Sequence, residues 1–186
     1  MTATVTTPFD VAERRIWSGK AEAYADTYAR LCAHPAAALL DAAEVGPGSR
    51  VLDVGCGSGT VSAEAVARGA SAYAVDAEPG MAAATRRAVP GVGTHIARLP
   101  ELPYADDTFD AVVGNFVLNH VGRPRAALTE LRRITRPGML RGMAPERVLT
   151  EEELDARPGE YEDHLQAIAE QWYQTGMGHA DKGMGQ

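Results

Sequence analysis

A chain of 186 residues is long enough for one domain with a hydrophobic core and too short for two large ones. Its hydrophobic fraction of 45% is ordinary for a globular protein, and its formal net charge of -7 argues against nucleic acid as the main partner, because phosphate groups require a basic surface. The sequence has neither an apolar run of the ~20 residues that a membrane-spanning helix needs nor a signal-peptide pattern at its N-terminus, so we expect a cytoplasmic protein without a membrane partner.

Helix-forming sequence dominates the first part of the chain. Residues 10–30 are rich in alanine, with Gly19 as an interruption, and a second helical stretch follows Pro35. The Gly-Pro-Gly sequence at 46–48 then ends the helix and precedes a strand. We therefore expect residues 1–45 to form a helical lid segment in front of the main domain.

Strand-type and helix-type segments alternate over residues 46–138. The predicted strands are RVLDV, SAYAVD, GTHIAR and FDAVVGNF. The predicted helices are TVSAEAVARG, PGMAAATRRAV and RPRAALTELRRIT. This alternation predicts an α/β fold, in which parallel strands are joined by right-handed crossovers and helices cover both faces of the sheet.

The sequence changes character after Gly138. Residues 139–186 are polar and favour helix, with predicted helices near 150–157 and 160–174 and a glycine-rich tail that we expect to be flexible. The only strand signal there is a weak one at residues 139–143.

A glycine turn follows the first predicted strand, in the sequence VLDVGCGSGT. Ligands of parallel sheets bind at the carboxyl ends of the strands, where glycines let a ligand approach the backbone. Thr60 stands where a dinucleotide-binding turn requires its third glycine, and Asp53 would repel a pyrophosphate. Asp76 ends the next strand, about 20 residues farther on, as an acid that binds ribose hydroxyls would. The pattern therefore favours a positively charged nucleoside without phosphate.

At this point the sequence resembles the class I S-adenosylmethionine-dependent methyltransferases. The matching stretches, in the family's order and spacing, are VLDVGCGSGT, YAVDAEPGM, LPYADDTFDAVVGNFVLNHV and LRRITRPG. The resemblance covers roughly residues 20 to 138 and implies a Rossmann-like fold with S-adenosylmethionine as cofactor and S-adenosylhomocysteine as product. It also implies in-line methyl transfer to an oxygen, nitrogen or carbon atom of a small-molecule acceptor, without a metal ion.

The resemblance also assigns roles to individual residues. The expected cofactor-binding residues are Asp53, Gly55, Cys56, Gly57, Gly59, Asp76, Ala77, Met81, Arg98, Leu99, Asn115 and Tyr24. Asp53 would bind the amino group of the cofactor, directly or through water, and Asp76 its ribose hydroxyls, while Gly59 would allow close helix packing. A tight turn without a ligand is the alternative for the glycines, and Cys56 is expected to pack rather than react.

The alternative for Asp76 is a solvated acid at the strand end, and for Met81 it is ordinary core packing. Arg98, Tyr24 and the catalytic candidate His120 have open alternatives as well. Many relatives carry an acid where Arg98 stands. Either the backbone at 97–99 contacts the adenine, with Leu99 covering the ring, as we expect, or adenine recognition is weaker in this protein. Tyr24 either closes over the cofactor or packs between helices. His120, on the predicted substrate side, is the candidate base, although relatives carry a histidine there without an established base role.

The C-terminal part departs from the family, because a clear fifth strand and the final antiparallel pair do not follow the RPG sequence. The exposed sheet edge would need a cover, either the C-terminal helices or a second copy of the chain in a homodimer. A shortened enzyme, a sequence with material removed, or a binding protein that has lost transfer would each explain the departure. The alternative function is therefore a protein that binds the cofactor without methylating.

Overall fold

The structure is a computed structural model, and it describes residues 6–137. The helices expected near 150–157 and 160–174, the weak strand at 139–143 and the glycine-rich tail lie outside these residues. The expected truncation of the C-terminal strands concerns that same part of the chain. Among the described residues, no helix is long and apolar enough to cross a bilayer.

Four short helices form the N-terminal segment, as the alanine-rich sequence predicts. They are α1 (Pro8–Trp17), α2 (Ala21–Asp26), α3 (Tyr28–Cys32) and α4 (Ala36–Ala42). Helix α1 begins with reciprocal hydrogen bonds: the Asp10 amide donates to Thr7 Oγ1 (3.1 Å), and the Thr7 amide donates to Asp10 Oδ2 (2.8 Å). Gly19, with a φ of 71°, separates α1 from α2, which is the interruption expected there.

Within residues 6–137, four parallel strands form the sheet, which confirms the α/β fold. They are β1 (Arg50–Val54), β2 (Ser71–Asp76), β3 (Gly93–Ile96) and β4 (Ala111–Gly114), in the spatial order β3-β2-β1-β4. The chain runs outward from β1 to β3 and then returns to place β4 on the other side of β1. The strand order therefore reverses between β1 and β4, and the glycine turn leaves β1 at this switch point.

Helices cover both faces of the sheet. Helix α5 (Thr60–Ala67) follows β1, α6 (Pro79–Ala88) follows β2, and α7 (Pro124–Ile134) follows β4. Between β4 and α7, a short 3₁₀ helix that the sequence did not predict spans Leu118–His120. Alternate residues of β1 point to opposite sides: Val51 joins the core cluster that includes α4 and α5, whereas Leu52 joins the cluster that includes α7. Each fully buried aliphatic side chain contributes about 1.5–3 kcal/mol, so the two clusters hold the strand ends in place.

The chain returns to the β4 side of the sheet immediately after α7. Thr135 forms a parallel bridge with Phe109, whose amide donates to the Ile134 carbonyl (3.0 Å) and whose carbonyl accepts from the Arg136 amide (2.9 Å). The side chain of Arg136 also pairs with Asp110. The start of the β4 edge is therefore covered by the chain's own residues rather than open.

Candidate functional site

The glycine turn adopts a backbone that other residues rarely adopt. Gly55 and Gly57 have φ values of 65° and 55°, in the left-handed region. A Cβ atom on Gly55 would lie 2.5 Å from Val117 Cγ2, and one on Gly57 would lie 2.9 Å from Tyr24 Cε1. Both positions therefore need glycine for conformation and for space, and the turn is enclosed by the segment after β4 and by helix α2.

Asp76 is anchored to the turn at the end of β2. Its Oδ2 atom accepts a hydrogen bond from the Gly57 amide (2.9 Å), and Oδ1 accepts one from the Glu78 amide (2.9 Å). Each carboxylate oxygen can accept a second hydrogen bond, so the residue keeps acceptor capacity for two hydroxyl groups. Burial raises the pKa of Asp76, and a neighbouring positive charge or hydroxyl donors would favour its charged form.

Asp53 is buried, with 2% of its surface exposed, and it contacts the start of α5. Its Oδ2 atom accepts hydrogen bonds from the Ser62 amide (3.0 Å) and the Ser62 hydroxyl (2.7 Å). Burial raises the pKa of Asp53 to about 7, and the nearby charge of Asp76 acts in the same direction. The sequence interpretation missed the contact with Ser62, which joins β1 to the helix that follows the turn.

Cys56 and Thr85 pack beneath the turn. Thr85 Oγ1 lies 2.9 Å from the Gly57 carbonyl oxygen and 3.3 Å from Cys56 Sγ, and a Cβ on Gly59 would lie 3.1 Å from Thr85 Cγ2. Burial raises the pKa of the Cys56 thiol, which keeps it protonated and unreactive. Gly59 thus lets α6 approach the turn closely. Thr85, a hydroxyl on the buried face of α6, was not identified from the sequence.

Glu78 organises the start of α6, and the sequence analysis did not single it out. Its Oε2 atom accepts from the Met81 amide (2.8 Å) and its Oε1 atom from the Gly19 amide (3.4 Å). An acid directly before Pro79 is the signal that could have identified it, since both are typical of a helix start. Met81 is 4% exposed and fills the core, whereas Ala77 is exposed at the strand end.

The segment after β3 continues beside β2. The Ala97 amide donates to the Asp76 carbonyl (3.1 Å), and Leu99 packs partly buried against the core cluster on the α7 face. Arg98 is exposed and forms an antiparallel bridge with Glu101. The backbone at Ala97 therefore lies next to Asp76, as a contact with the base of a nucleoside would require.

Aromatic side chains from the N-terminal helices cover the carboxyl edge of the sheet. The ring of Tyr24 lies against Gly57 and packs edge-to-face on Trp17, with ring centroids 5.8 Å apart. Trp17 in turn packs edge-to-face on His120, at 5.4 Å. Burial raises the pKa of the Tyr24 hydroxyl, so it remains a neutral donor at physiological pH.

The end of β4 lies at the same carboxyl edge of the sheet. Asn115 donates through Nδ2 to the Cys32 carbonyl (2.7 Å), which ties the end of β4 to the end of α3. Phe116 has a φ of 55°, unusual for a residue with a side chain, and the residue is 46% exposed. The structure thus brings Tyr24, Gly57 and Asp76 together directly, and places Asn115 and His120 on the neighbouring β4 side.

The sequence of this chain is similar to that of known methyltransferases. A family model described as a methyltransferase domain matches residues 52–140. The sequence is 39% identical over 100 residues to the demethylmenaquinone methyltransferase of Renibacterium salmoninarum, covering 54% of this chain and 42% of that protein. The chain thus spans less than half the length of the curated relatives it matches.

Solved structures share the architecture. One is a chain of the complex between the Haloferax volcanii Trm112 methyltransferase activator and a methyltransferase, with a TM-score of 0.56, 25% identity, and coverage of 73% of this chain and 58% of that chain. Another is a TehB-like SAM-dependent methyltransferase from Corynebacterium glutamicum, with a TM-score of 0.53, 22% identity, and coverage of 62% and 66% respectively. The fold is therefore the Rossmann-like α/β fold of these structures.

Proposed function

We propose that this chain belongs to the class I S-adenosylmethionine-dependent methyltransferase family and transfers a methyl group from S-adenosylmethionine to a small-molecule acceptor, as its similarity to methyltransferases supports. The observation that carries the proposal is the anchored carboxylate of Asp76 beside the Gly57 backbone. A pair of acceptors held at a glycine turn suits the two hydroxyls of a ribose.

The charge of the site supports a cationic ligand. Burial raises the pKa of both Asp53 and Asp76, and a neighbouring negative charge adds to each shift, that of Asp76 for Asp53 and that of Glu78 for Asp76. A ligand that carries a sulfonium and an ammonium group relieves this repulsion, whereas a pyrophosphate would add to it.

The residue roles follow from position. We assign binding of the ribose hydroxyls to Asp76. Asp53 would attract the amino group electrostatically rather than bind it through Oδ2, because that atom already accepts two hydrogen bonds from Ser62. The methionine part would pass over the turn, and Tyr24 would cover it. The remaining binding positions are the backbone of Gly55, Cys56 and Gly57, the adenine contacts Ala77, Met81, Leu99 and the Arg98 backbone, and Asn115.

When bound, S-adenosylmethionine supplies a methyl group activated by a sulfonium leaving group. The chain's own contribution is to align the acceptor in line with that methyl group and to exclude water, which Tyr24 and Trp17 support by covering the strand ends. His120 is the proposed general base that takes the proton from the acceptor.

The acceptor is proposed as a small molecule with an oxygen, nitrogen or carbon nucleophile. The relatives named for demethylmenaquinone make a hydroquinone ring the first acceptor class to test. Partner contacts are also proposals: a second copy of this chain covering the remaining β4 edge, or an activator such as the one in the Haloferax complex. Light scattering of the purified chain distinguishes a monomer from a dimer.

Calorimetric titration of the full chain with S-adenosylmethionine and S-adenosylhomocysteine tests the cofactor. We expect both to bind, and failure of both to bind to folded protein would contradict the proposal. A radiolabelled-methyl transfer assay across phenols, hydroquinones and amines then tests the reaction. Binding without transfer to any acceptor would favour the alternative of a non-methylating protein on the same fold.

A further inference from the structure

A carboxylate from the N-terminal segment contacts the candidate base directly. Glu13 Oε2, on α1, lies 2.7 Å from His120 Nδ1. The same oxygen accepts a hydrogen bond from Trp17 Nε1 (3.1 Å), and the Trp17 ring packs edge-to-face on the imidazole. Helix α1 thus holds the His120 imidazole, which lies 107 positions from Glu13 in the sequence, through a hydrogen bond and a ring contact.

The contacts of His120 are compatible with one neutral tautomer. The Glu13 carboxylate only accepts hydrogen bonds, so Nδ1 must carry the hydrogen. The other ring nitrogen, Nε2, lies 3.0 Å from Asn119 Nδ2, which only donates, so Nε2 must present its lone pair. The ring is therefore oriented with its acceptor nitrogen away from α1.

The His120 side chain is more exposed than the Glu13 side chain with which it pairs. The His120 side chain is 34% exposed, so an acceptor can reach the ring, whereas Glu13 is 18% exposed and lies behind it. Asn119, the other partner of the ring, is exposed and can be displaced from Nε2 by an incoming hydroxyl or amine.

We propose that Glu13 is a positioning residue for methyl transfer, which holds His120 as the Nδ1–H tautomer and leaves Nε2 as the base. This inference rests on the proposed function, because it assigns a second residue to the same site. It also makes α1 part of the reaction machinery, since the base has its correct tautomer only while Glu13 is docked.

In the proposed step, methyl transfer is coupled to proton transfer from the acceptor to His120. As the acceptor oxygen forms its bond to the methyl carbon, the carbon–sulfur bond breaks and its electron pair stays on sulfur, which becomes a neutral thioether. The acceptor's O–H proton moves to His120 Nε2, and the Glu13 carboxylate stabilises the imidazolium that forms. Release of that proton to water returns the neutral ring.

Asp10 supplies a matched control on the same helix. Its Oδ1 atom accepts from the Gly122 amide (2.9 Å), so it joins α1 to the same loop without contacting the imidazole. Asp10→Asn therefore weakens docking of α1 but leaves the Glu13–His120 contact available. Glu13→Gln keeps an acceptor oxygen for Nδ1–H and removes the charge, and Glu13→Ala removes both.

Nitrogen-15 NMR of the labelled full chain reads the tautomer without any acceptor, and His120→Gln assigns the ring signals by deleting them. We expect the Nδ1–H tautomer in the parent protein, in Asp10→Asn and in Glu13→Gln, and loss of that preference in Glu13→Ala. A parent protein with hydrogen on Nε2, or an unchanged tautomer in Glu13→Ala, would overturn the proposal.

Kinetics then tests the consequence. We expect Glu13→Ala to lower kcat by about 10- to 100-fold, a part of the effect of a general base, with the KM of the acceptor and the affinity for S-adenosylmethionine within about twofold of the parent. The Glu13→Ala/His120→Gln double variant should be no slower than His120→Gln alone, because Glu13 acts through His120. Additive losses would refute the role of Glu13. Absence of transfer in the parent, with the NMR result intact, would refute the proposed function instead.

Discussion

Replacing Asp76 by asparagine tests the proposed cofactor site most directly. The carboxylate accepts hydrogen bonds from the amides of Gly57 and Glu78, one on each oxygen. Asparagine has one acceptor oxygen, so in either orientation its NH₂ group faces a backbone N–H and one contact is lost. We expect the same loss on the ligand side, where one of two ribose hydroxyls loses its acceptor.

The magnitude follows from the strength of such bonds. A hydrogen bond to a charged group contributes about 1.5–3 kcal/mol, and the remaining bond weakens when the charge is removed. We therefore expect binding of S-adenosylmethionine to weaken by about 2–4 kcal/mol, which is about 30- to 1,000-fold in Kd. The unpaired backbone amide lowers the free energy of unfolding by about 1–3 kcal/mol, offset in part because burial disfavours the native charge.

Asp110→Asn is the control for this substitution. Asp110 also accepts from a backbone amide of the sheet, that of Arg50 (2.8 Å), but it lies before β4, at the amino end of the strands. We expect a comparable loss in thermal stability by circular dichroism and an affinity within about twofold of the parent by calorimetry. Unchanged affinity in Asp76→Asn, or equal losses of affinity in the two variants, would refute the assignment of Asp76.

Two further predictions concern the turn. Asp53 holds its proton up to about pH 7 in the native state but releases it near pH 4 in the unfolded state. The free energy of unfolding of the parent should therefore fall relative to that of Asp53→Asn as pH rises from about 4 to about 7, by about 2–4 kcal/mol in total. Above about pH 7 we expect no further change in this difference. Urea unfolding of both proteins across this range measures the difference, and a constant difference would contradict the buried-acid interpretation. Gly57→Ala should destabilise more than Gly91→Ala and abolish cofactor binding, since both sites have positive φ but only Gly57 lies against another side chain, that of Tyr24. Equal unfolding free energies and intact binding in the two variants would argue against this close approach.

Local sequence patterns predicted the elements of the fold well. All four strands occur where the apolar segments predicted them, and helices α5, α6 and α7 follow the segments assigned to them. The short 3₁₀ helix at Leu118–His120 was missed, because it is too brief to show a periodicity.

The placement of candidate site residues was predictable where one turn or one strand end determines it. Gly57 and Asp76 are separated by 19 positions, and the geometry of parallel strands brings the two strand ends together. The partner of Asp53 was not foreseen, since a buried carboxylate can be satisfied by Ser62 or by a ligand, and only packing of α5 chooses between them.

The sequence by itself determined the parallel sheet, the glycine turn and the acid at the end of β2, because each depends on the spacing of neighbouring residues. The tertiary structure alone decided what surrounds them. Glu13 meets His120 across 107 positions, and Tyr24 meets Gly57 only because α2 folds over the strand ends. Such contacts depend on how separate helices pack on the sheet, and no local pattern in either segment encodes that choice.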